Sequence, residues 1–263
     1  MKLPSLKPPL VLVNLKCYNE SIGPGAHRIG RAASEVMEES GVTIGLAPLY
    51  TDIHPINRHY GIPVFAQHVD PVEPGAHTGR MPLAAIKSAG AIGSLVNHSE
   101  YRLTIADIEK NVGALKEAGL LSCVCSNNIA TTRALAALEP AYVAIEPPEL
   151  IGGKVSVSEA NPGIITGSVE VVKEINPSVR VLTGAGIHSG RCVKTAVDLG
   201  TDGVLLSDGF QQAVFLPQVA DETGWDLETF LGHLCLKAGL QAQAFKKPGI
   251  QFWSFQAEVW AEE

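Results

Sequence analysis

The chain reads as an α/β protein folded as a (β/α)8 barrel, on three observations. Short apolar runs recur about eight times, most of them apolar throughout, as strands buried on both faces of a parallel sheet must be. Stretches with helical spacing lie between them, so strand and helix alternate along the chain. The repeats fit within roughly 200 residues with no Gly/Ser-rich linker, which favours one closed barrel over an open doubly wound sheet.

The elements follow in order. The first strand is Leu10–Leu15, and a helix over Ala26–Ser40 stops at Gly41. Strands at Val42–Ala47 and Ile62–Ala66 come next, then a helix over Leu83–Ala89 that Gly90 ends. The fourth strand is Ala91–Val96, followed by the helix Ile105–Ala118, its stop Gly119, and the fifth strand Leu120–Cys125. A helix over Thr131–Leu138 leads to the sixth strand, Tyr142–Ile145, and one over Ser168–Ile175 leads to the seventh, Val179–Leu182. The last pair is the helix Arg191–Leu199, stopped by Gly200, and the strand Gly203–Leu206. A glycine just past the last periodic residue supplies the left-handed backbone that closes a helix. The expected organisation is a single barrel domain over residues 1–240 with a C-terminal extension over 241–263. Six of the seven Phe and all three Trp lie beyond Asp208, whereas all five Tyr precede it. The extension is expected to pack its aromatic residues on the barrel or at a subunit contact.

Composition narrows the function. With 263 residues, 46% hydrophobic and 18% charged, the chain can bury a sizeable core and is not disordered as a whole. A net charge of −7 argues against a nucleic-acid-binding surface, although a local cleft can still attract an anion. No apolar run is long enough to span a membrane, and MKLPSLKPPLVLVNLK lacks the cleavage region of a signal peptide. The five cysteines are odd in number, dispersed and without a C-x-x-C pair, so a reducing, cytoplasmic location without a disulfide framework is expected. Cys123 and Cys125 should share one face of a strand as packed core thiols.

The common nucleotide-loop, zinc-helix and nucleophile-elbow motifs are absent, and the eight His are scattered, so a metal site has no support in the sequence. Gly184-Ala-Gly-Ile-His-Ser-Gly190 has the wrong spacing for a dinucleotide fingerprint. A glycine turn entering a helix nevertheless offers amide donors to a phosphate. In a barrel, chemistry sits at the C-terminal ends of the strands. Strand one ends in Asn14-Leu-Lys16, strand four runs into Asn97-His98-Ser99-Glu100, and strand six ends in Glu146 before two prolines. Singly, Lys16 also reads as a rim charge, His98 as a structural histidine and Glu146 as a loop carboxylate. Together they converge on one mouth, beside a lid-like Leu150-Ile-Gly-Gly153 and glycine turns suited to phosphate. That set suits proton abstraction beside a carbonyl on a phosphorylated substrate.

The stretches VNLK, AQHVDPVEPGAHTG, NHSE, CSNNIATT, AIEPPELIGG, VLTGAGI and GTDGVLLSDG occur in one order from about Val11 to Gly209. They resemble the triosephosphate isomerase family in its compact archaeal branch. The resemblance implies a TIM barrel that interconverts dihydroxyacetone phosphate and D-glyceraldehyde 3-phosphate through an enediol(ate), in glycolysis and gluconeogenesis, without a cofactor. It implies Glu146 as base, a neutral His98 polarising the carbonyl, and Lys16 beside the phosphate and oxyanion, with Asn14 orienting the electrophilic side. Glu100 would position Lys16, and the amides of Gly152, Gly186, Ser207 and Asp208 would hold the phosphate. The pairing of a glutamate base with a neutral histidine is the family's own known pattern of pKa tuning. Asp208 departs from the family's small neutral residue, so its side chain is expected to turn away or cap the following helix. Arg80 stands where better-known relatives carry Glu. The loop Gly75–Gly79 is implied to sit at the contact of a homodimer or homotetramer. Two other readings stay open: an isomerase of another short phosphorylated aldose–ketose pair, and a non-catalytic barrel acting as a binding or scaffold protein.

Overall fold

A computed structural model describes residues 3–151, 156–187, 190–207 and 229, with side chains apart from 190–191 and 204–207. Eight parallel strands form one sheet: β1 (Leu10–Asn14), β2 (Thr43–Ala47), β3 (Phe65–Ala66), β4 (Gly93–Val96), β5 (Leu121–Ser126), β6 (Tyr142–Ile145), β7 (Arg180–Thr183) and β8 (Gly203–Ser207). Their order is β2-β1-β8-β7-β6-β5-β4-β3. The two ends of that series meet. Leu46 of β2 bridges Val64, just before β3, and its amide donates to the Pro63 carbonyl at 2.9 Å. The sheet is therefore closed, and the expected (β/α)8 barrel is the fold.

The connecting helices are α1 (Pro24–Ser40), α2 (Tyr50–Tyr60), α3 (Leu83–Ser88), α4 (Ile105–Ala118), α5 (Ile129–Ala136), α6 (Val157–Ala160), α7 (Pro162–Ile175) and α8 (Gly190–Asp198). The anticipated stops Gly41, Gly90, Gly119 and Gly200 all have positive φ, between 67° and 94°. Side-chain caps fix three helix starts: Thr104 accepts from the Asp107 amide, Asn128 from Thr131 and Asn161 from Ile164. Two helical segments differ from expectation. Helix α2 is missing from the elements expected of the sequence, because Pro55 lies inside it and reads as a breaker. Ile53 and Ile56, both buried, anchor that helix to the core despite the lost backbone bond. Helix α7 begins at Pro162, before the expected Ser168, because Asn161 caps it and Gly167 is needed for packing. A Cβ at Gly167 would lie 2.6 Å from Cδ1 of Ile129 on α5.

Strand alternation separates two cores. In β1 the buried residues are Leu10, Leu12 and Asn14, which face the interior, while Val11 and Val13 face the helices. Leu12, Phe65, Leu95, Cys123, Cys125 and Tyr142 belong to one buried cluster inside the barrel, so the two cysteines do share a core-facing side. Among the described residues Phe65 is the largest fully buried side chain, and Gly93 is its register partner on β4. A Cβ at Gly93 would come within 2.6 Å of the Phe65 ring, so the glycine makes room for the phenyl group. Gly203 pairs with Leu10 in the same way, and a Cβ there would fall onto the Leu10 carbonyl.

The chain divides into two compact units, Met1–Asp208 and Gly209–Glu263. The expected boundary at 240/241 and the aromatic extension lie outside the described residues. Among the described residues, no helix is long and apolar enough to cross a membrane.

The Gly203 contact is with backbone, which cannot swing aside as a flexible side chain can. Gly203→Ala should therefore cost about 2–3 kcal/mol, read as a lower denaturant midpoint with an unchanged slope. An unchanged midpoint would show slack between β1 and β8 that the packing does not display.

Candidate active site

The mouth of the barrel is built by the residues that follow the last inward position of each strand. Asn14 closes β1, and its Oδ1 accepts from the Lys16 amide at 3.0 Å. Lys16 has φ 50°, a left-handed backbone that is uncommon for a residue with a side chain. Gln67, just after β3, secures this turn by donating Nε2 to the carbonyls of Lys16 (2.8 Å) and Ala47 (3.0 Å). The turn buries most of Lys16, and its Nζ meets Glu100 Oε1 at 2.6 Å. A buried ammonium requires such a partner, because desolvation without one is costly.

Strand β4 delivers the histidine. Asn97 follows its last residue with φ 61°, and His98 comes next, 7% exposed. The Glu100 amide lies 3.3 Å from His98 Nδ1. A backbone N–H can only donate, so Nδ1 is the acceptor and the proton of the neutral ring sits on Nε2. Burial, with help from Lys16 and Arg102, holds the His98 pKa below its usual value, although Glu100 opposes the shift. The ring is thereby kept neutral while its remaining N–H faces the mouth.

Glu146 arrives from β6 by alternation. Tyr142 and Ala144 face the interior, so Glu146 does too, with its amide donating to the Ser126 carbonyl at 2.8 Å. Its carboxyl is almost fully buried, and Oε2 lies 3.7 Å from His98 Nε2. Among the described residues Oε2 has no hydrogen-bond partner. Burial raises the carboxyl pKa from 4.5 to about 7, against the opposing influence of Cys125, Lys16 and Arg102. A base with such a pKa is half-ionised near neutrality and stronger than an exposed carboxylate.

Asn14, Lys16, His98, Glu100 and Glu146 therefore meet in one place. Of the residues expected at a phosphate, Gly186 follows β7 with φ 65°, next to Ala185 at φ 74°. This reversed turn is fastened by the Val157 amide, which donates to the Ala185 carbonyl at 3.1 Å. Ser207 ends β8 opposite Asn14 in register. Gly152 and Asp208 lie outside the described residues, as do the orientation expected of Asp208 and the distal part of the lid-like segment. Among the described residues, no group of three or more His, Cys, Asp or Glu is placed to hold a metal ion.

The exposed Gly75–Gly79 loop is closed at its base by Asp70. The Asp70 carboxylate takes Arg80 Nη1 at 2.9 Å and the Met81 amide at 2.6 Å. Arg80 thus has a partner within its own chain.

Four residues of this neighbourhood are not singled out by the sequence: Gln67, Asn97 as a reversed hinge, Arg102, and Cys125 as a neighbour of Glu146. Gln67 and Cys125 lie at the upper ends of β3 and β5, so the strand-end rule that singles out Lys16 also reaches them. Arg102 acts on carbonyl oxygens, which leave no trace in residue types.

The family model for triosephosphate isomerase matches residues 9–219. The chain belongs to the triosephosphate isomerase family. The triosephosphate isomerase of Methanoculleus marisnigri is 59% identical over 205 residues, which are 78% of this chain and 92% of that one. That of Methanocaldococcus jannaschii is 52% identical over 204 residues, 78% of this chain and 93% of the relative. Among solved structures, the triosephosphate isomerase from Bartonella henselae superposes with a TM-score of 0.62 at 16% identity, covering 77% of this chain and 92% of that one. At that identity the superposition speaks for the barrel alone. The relatives' identity speaks for the family, and the mouth described above lies at the C-terminal ends of the strands, the face on which barrels of this kind carry their active sites.

The raised pKa of Glu146 links the site to stability. Its folded value lies above the unfolded one, so the fold disfavours the ionised form, and stability falls as pH climbs from the ordinary carboxylate range to about 7. Glu146→Gln removes that titration. Thermal unfolding should show the variant more stable than the parent above neutral pH, with the gain shrinking at about pH 5. A gain that is equal at both pH values would mean that the carboxyl is not strained by ionisation.

Proposed function

We propose that Glu146, His98 and Lys16 carry the aldose–ketose isomerisation in this chain. The enzyme is an isomerase that interconverts dihydroxyacetone phosphate and D-glyceraldehyde 3-phosphate, a reaction of glycolysis and gluconeogenesis. The observation that carries the residue assignment is the buried Glu146 carboxyl, raised towards neutral pKa, 3.7 Å from the one ring nitrogen of His98 left to donate.

The chemistry follows from that pair. Glu146 takes a proton from the carbon beside the substrate carbonyl, and the electron pair of that C–H bond becomes the C=C bond of an enediol(ate). Negative charge builds on the carbonyl oxygen, where the His98 Nε2–H and the Lys16 ammonium stabilise it. Glu146 then returns a proton to the neighbouring carbon, and His98 shuttles protons between the two oxygens. A neutral imidazole suits this role, since it can donate without adding a second full positive charge beside Lys16. Glu100 holds Lys16 in place, and Asn14 fixes the turn that presents it. The amides around Gly152, Gly186, Ser207 and Asp208 receive the phosphate.

The same reading extends to assembly. The Gly75–Gly79 loop, shaped by its Asp70 base, forms the contact of a homodimer or homotetramer, and the enzyme works in the cytoplasm. The chain beyond residue 240 is proposed to act in that assembly.

Two measurements test these statements. In a coupled isomerase assay, Glu146→Ala should lower kcat at least about 100-fold while inhibition by inorganic phosphate persists. Near-normal turnover would remove Glu146 from the mechanism, and an inactive parent would favour a scaffold role. Sedimentation of the full chain and of a truncation ending near Leu240 should give an oligomer for the first and a smaller or weaker one for the second. Identical sedimentation and activity would make the extension peripheral.

A further inference from the structure

Two strand ends must keep a fixed separation for the site to work: that of β4, which leads to His98, and that of β5, on which Glu146 leans. The chain between them is not a regular ladder. Pairing of β4 with β5 stops at Val96–Val124, one residue short of Asn97 and Cys125. Beyond that point the two ends are joined by side chains. Asn97 Nδ2 donates to the Cys125 carbonyl at 3.0 Å, and Asn97 Oδ1 accepts from the Leu103 amide at 3.0 Å. Arg102 Nη1 donates to the Asn97 carbonyl at 2.8 Å and sits 3.5 Å from the Cys125 carbonyl. Among the described residues Arg102 has no carboxylate partner; its guanidinium is directed at the two carbonyls.

We propose that Arg102 is a positioning residue for the isomerase reaction, bridging the ends of β4 and β5 so that His98 and Glu146 keep their working separation. The proposal rests on the assignment of those two residues as the reacting pair. Three features support it. Asn97 has φ 61°, a conformation that costs energy in a residue with a side chain and persists when its surroundings enforce it. Arg102 is one of those surroundings, since it holds the carbonyl of the reversed residue itself. Next, the residue after Asn97 is His98, and the residue after Cys125 is Ser126, whose carbonyl receives the Glu146 amide at 2.8 Å. One guanidinium is therefore a single covalent step from the histidine on one side. On the other it is a single hydrogen bond beyond the adjacent residue from the glutamate. Lastly, the positive charge of Arg102 is felt at both groups: it favours the neutral imidazole and the ionised carboxylate. The other groups facing this pair are Lys16, Glu100 and Cys125. Lysine could supply the charge, but its ammonium ends a flexible stem, whereas the rigid guanidinium holds one nitrogen, Nη1, against both carbonyls.

The exposed position of Arg102 makes its substitution practicable in the full-length enzyme. Arg102→Gln and Arg102→Lys would be assayed beside the parent and Glu146→Gln, with KM, kcat, the pH profile of kcat/KM and thermal unfolding recorded for each. Arg102→Gln should lower kcat about 10- to 100-fold with KM changed less than about threefold, since misplacement of reacting groups acts on the chemical step. Its acidic limb should move to higher pH, because losing the cation makes the Glu146 proton harder to remove. Arg102→Lys should restore the limb while leaving kcat depressed. Unchanged kcat and an unmoved limb in Arg102→Gln, or a lowered melting temperature with intact kinetics, would overturn the proposal. Full activity in Glu146→Gln would instead overturn the underlying assignment, so the two failures are told apart.

Discussion

Closure of the sheet is the constraint from which the rest of the molecule follows. In a closed parallel barrel each strand must hide both faces, one against helices and one against the other strands. Alternation sets direction on two strands: once Leu12 and Ala144 point inward, Asn14 and Glu146 do as well, whereas on β4 the left-handed backbone of Asn97 breaks the period and brings His98 to the mouth. The polar residues are tolerated there only because they occupy the last inward layer, where the strands stop and the mouth begins. Glu146 is placed by the same two-residue period that packs the core, and His98 by the reversed residue before it.

That placement carries an energetic tension. Glu146 is buried as thoroughly as the core leucines, beside a histidine kept neutral and a lysine already committed to Glu100. For Glu146 the cost falls on the charged form, which burial disfavours. The surrounding turns bear part of that tension in their backbone, with left-handed conformations at Lys16, Asn97 and Ala185, at the ends of β1, β4 and β7. Strain of this kind gathers where side chains must be aimed against local preference.

The sequence displays the barrel clearly because its strands are apolar throughout and its helices end on glycines. What it obscures is equally physical. Pro55 disguises α2, whose stability comes from Ile53 and Ile56 in the core and not from its backbone. Gly167 weakens the signal for α7 while allowing that helix to approach α5. At the site, Lys16, His98 and Glu146 are legible as ionisable residues at strand ends. The tautomer of His98 is not, since it depends on where the Glu100 amide points. Gln67 and Arg102 are equally silent in sequence, because they hold carbonyl oxygens that every residue carries.

Phe65 gives the molecule a direction. Seated against Gly93, with Leu10, Leu121 and Tyr142 also in the interior cluster, it plugs the barrel below the reacting groups. The vessel is therefore stoppered at one end among the described residues, and the almost fully buried Glu146 lies on the mouth side of that plug. A molecule bound in the mouth stands between the carboxyl and the solvent. The hydrogen that Glu146 removes is then returned or exchanged according to how long that occupant stays, so isotope retention in the product becomes a clock for residence.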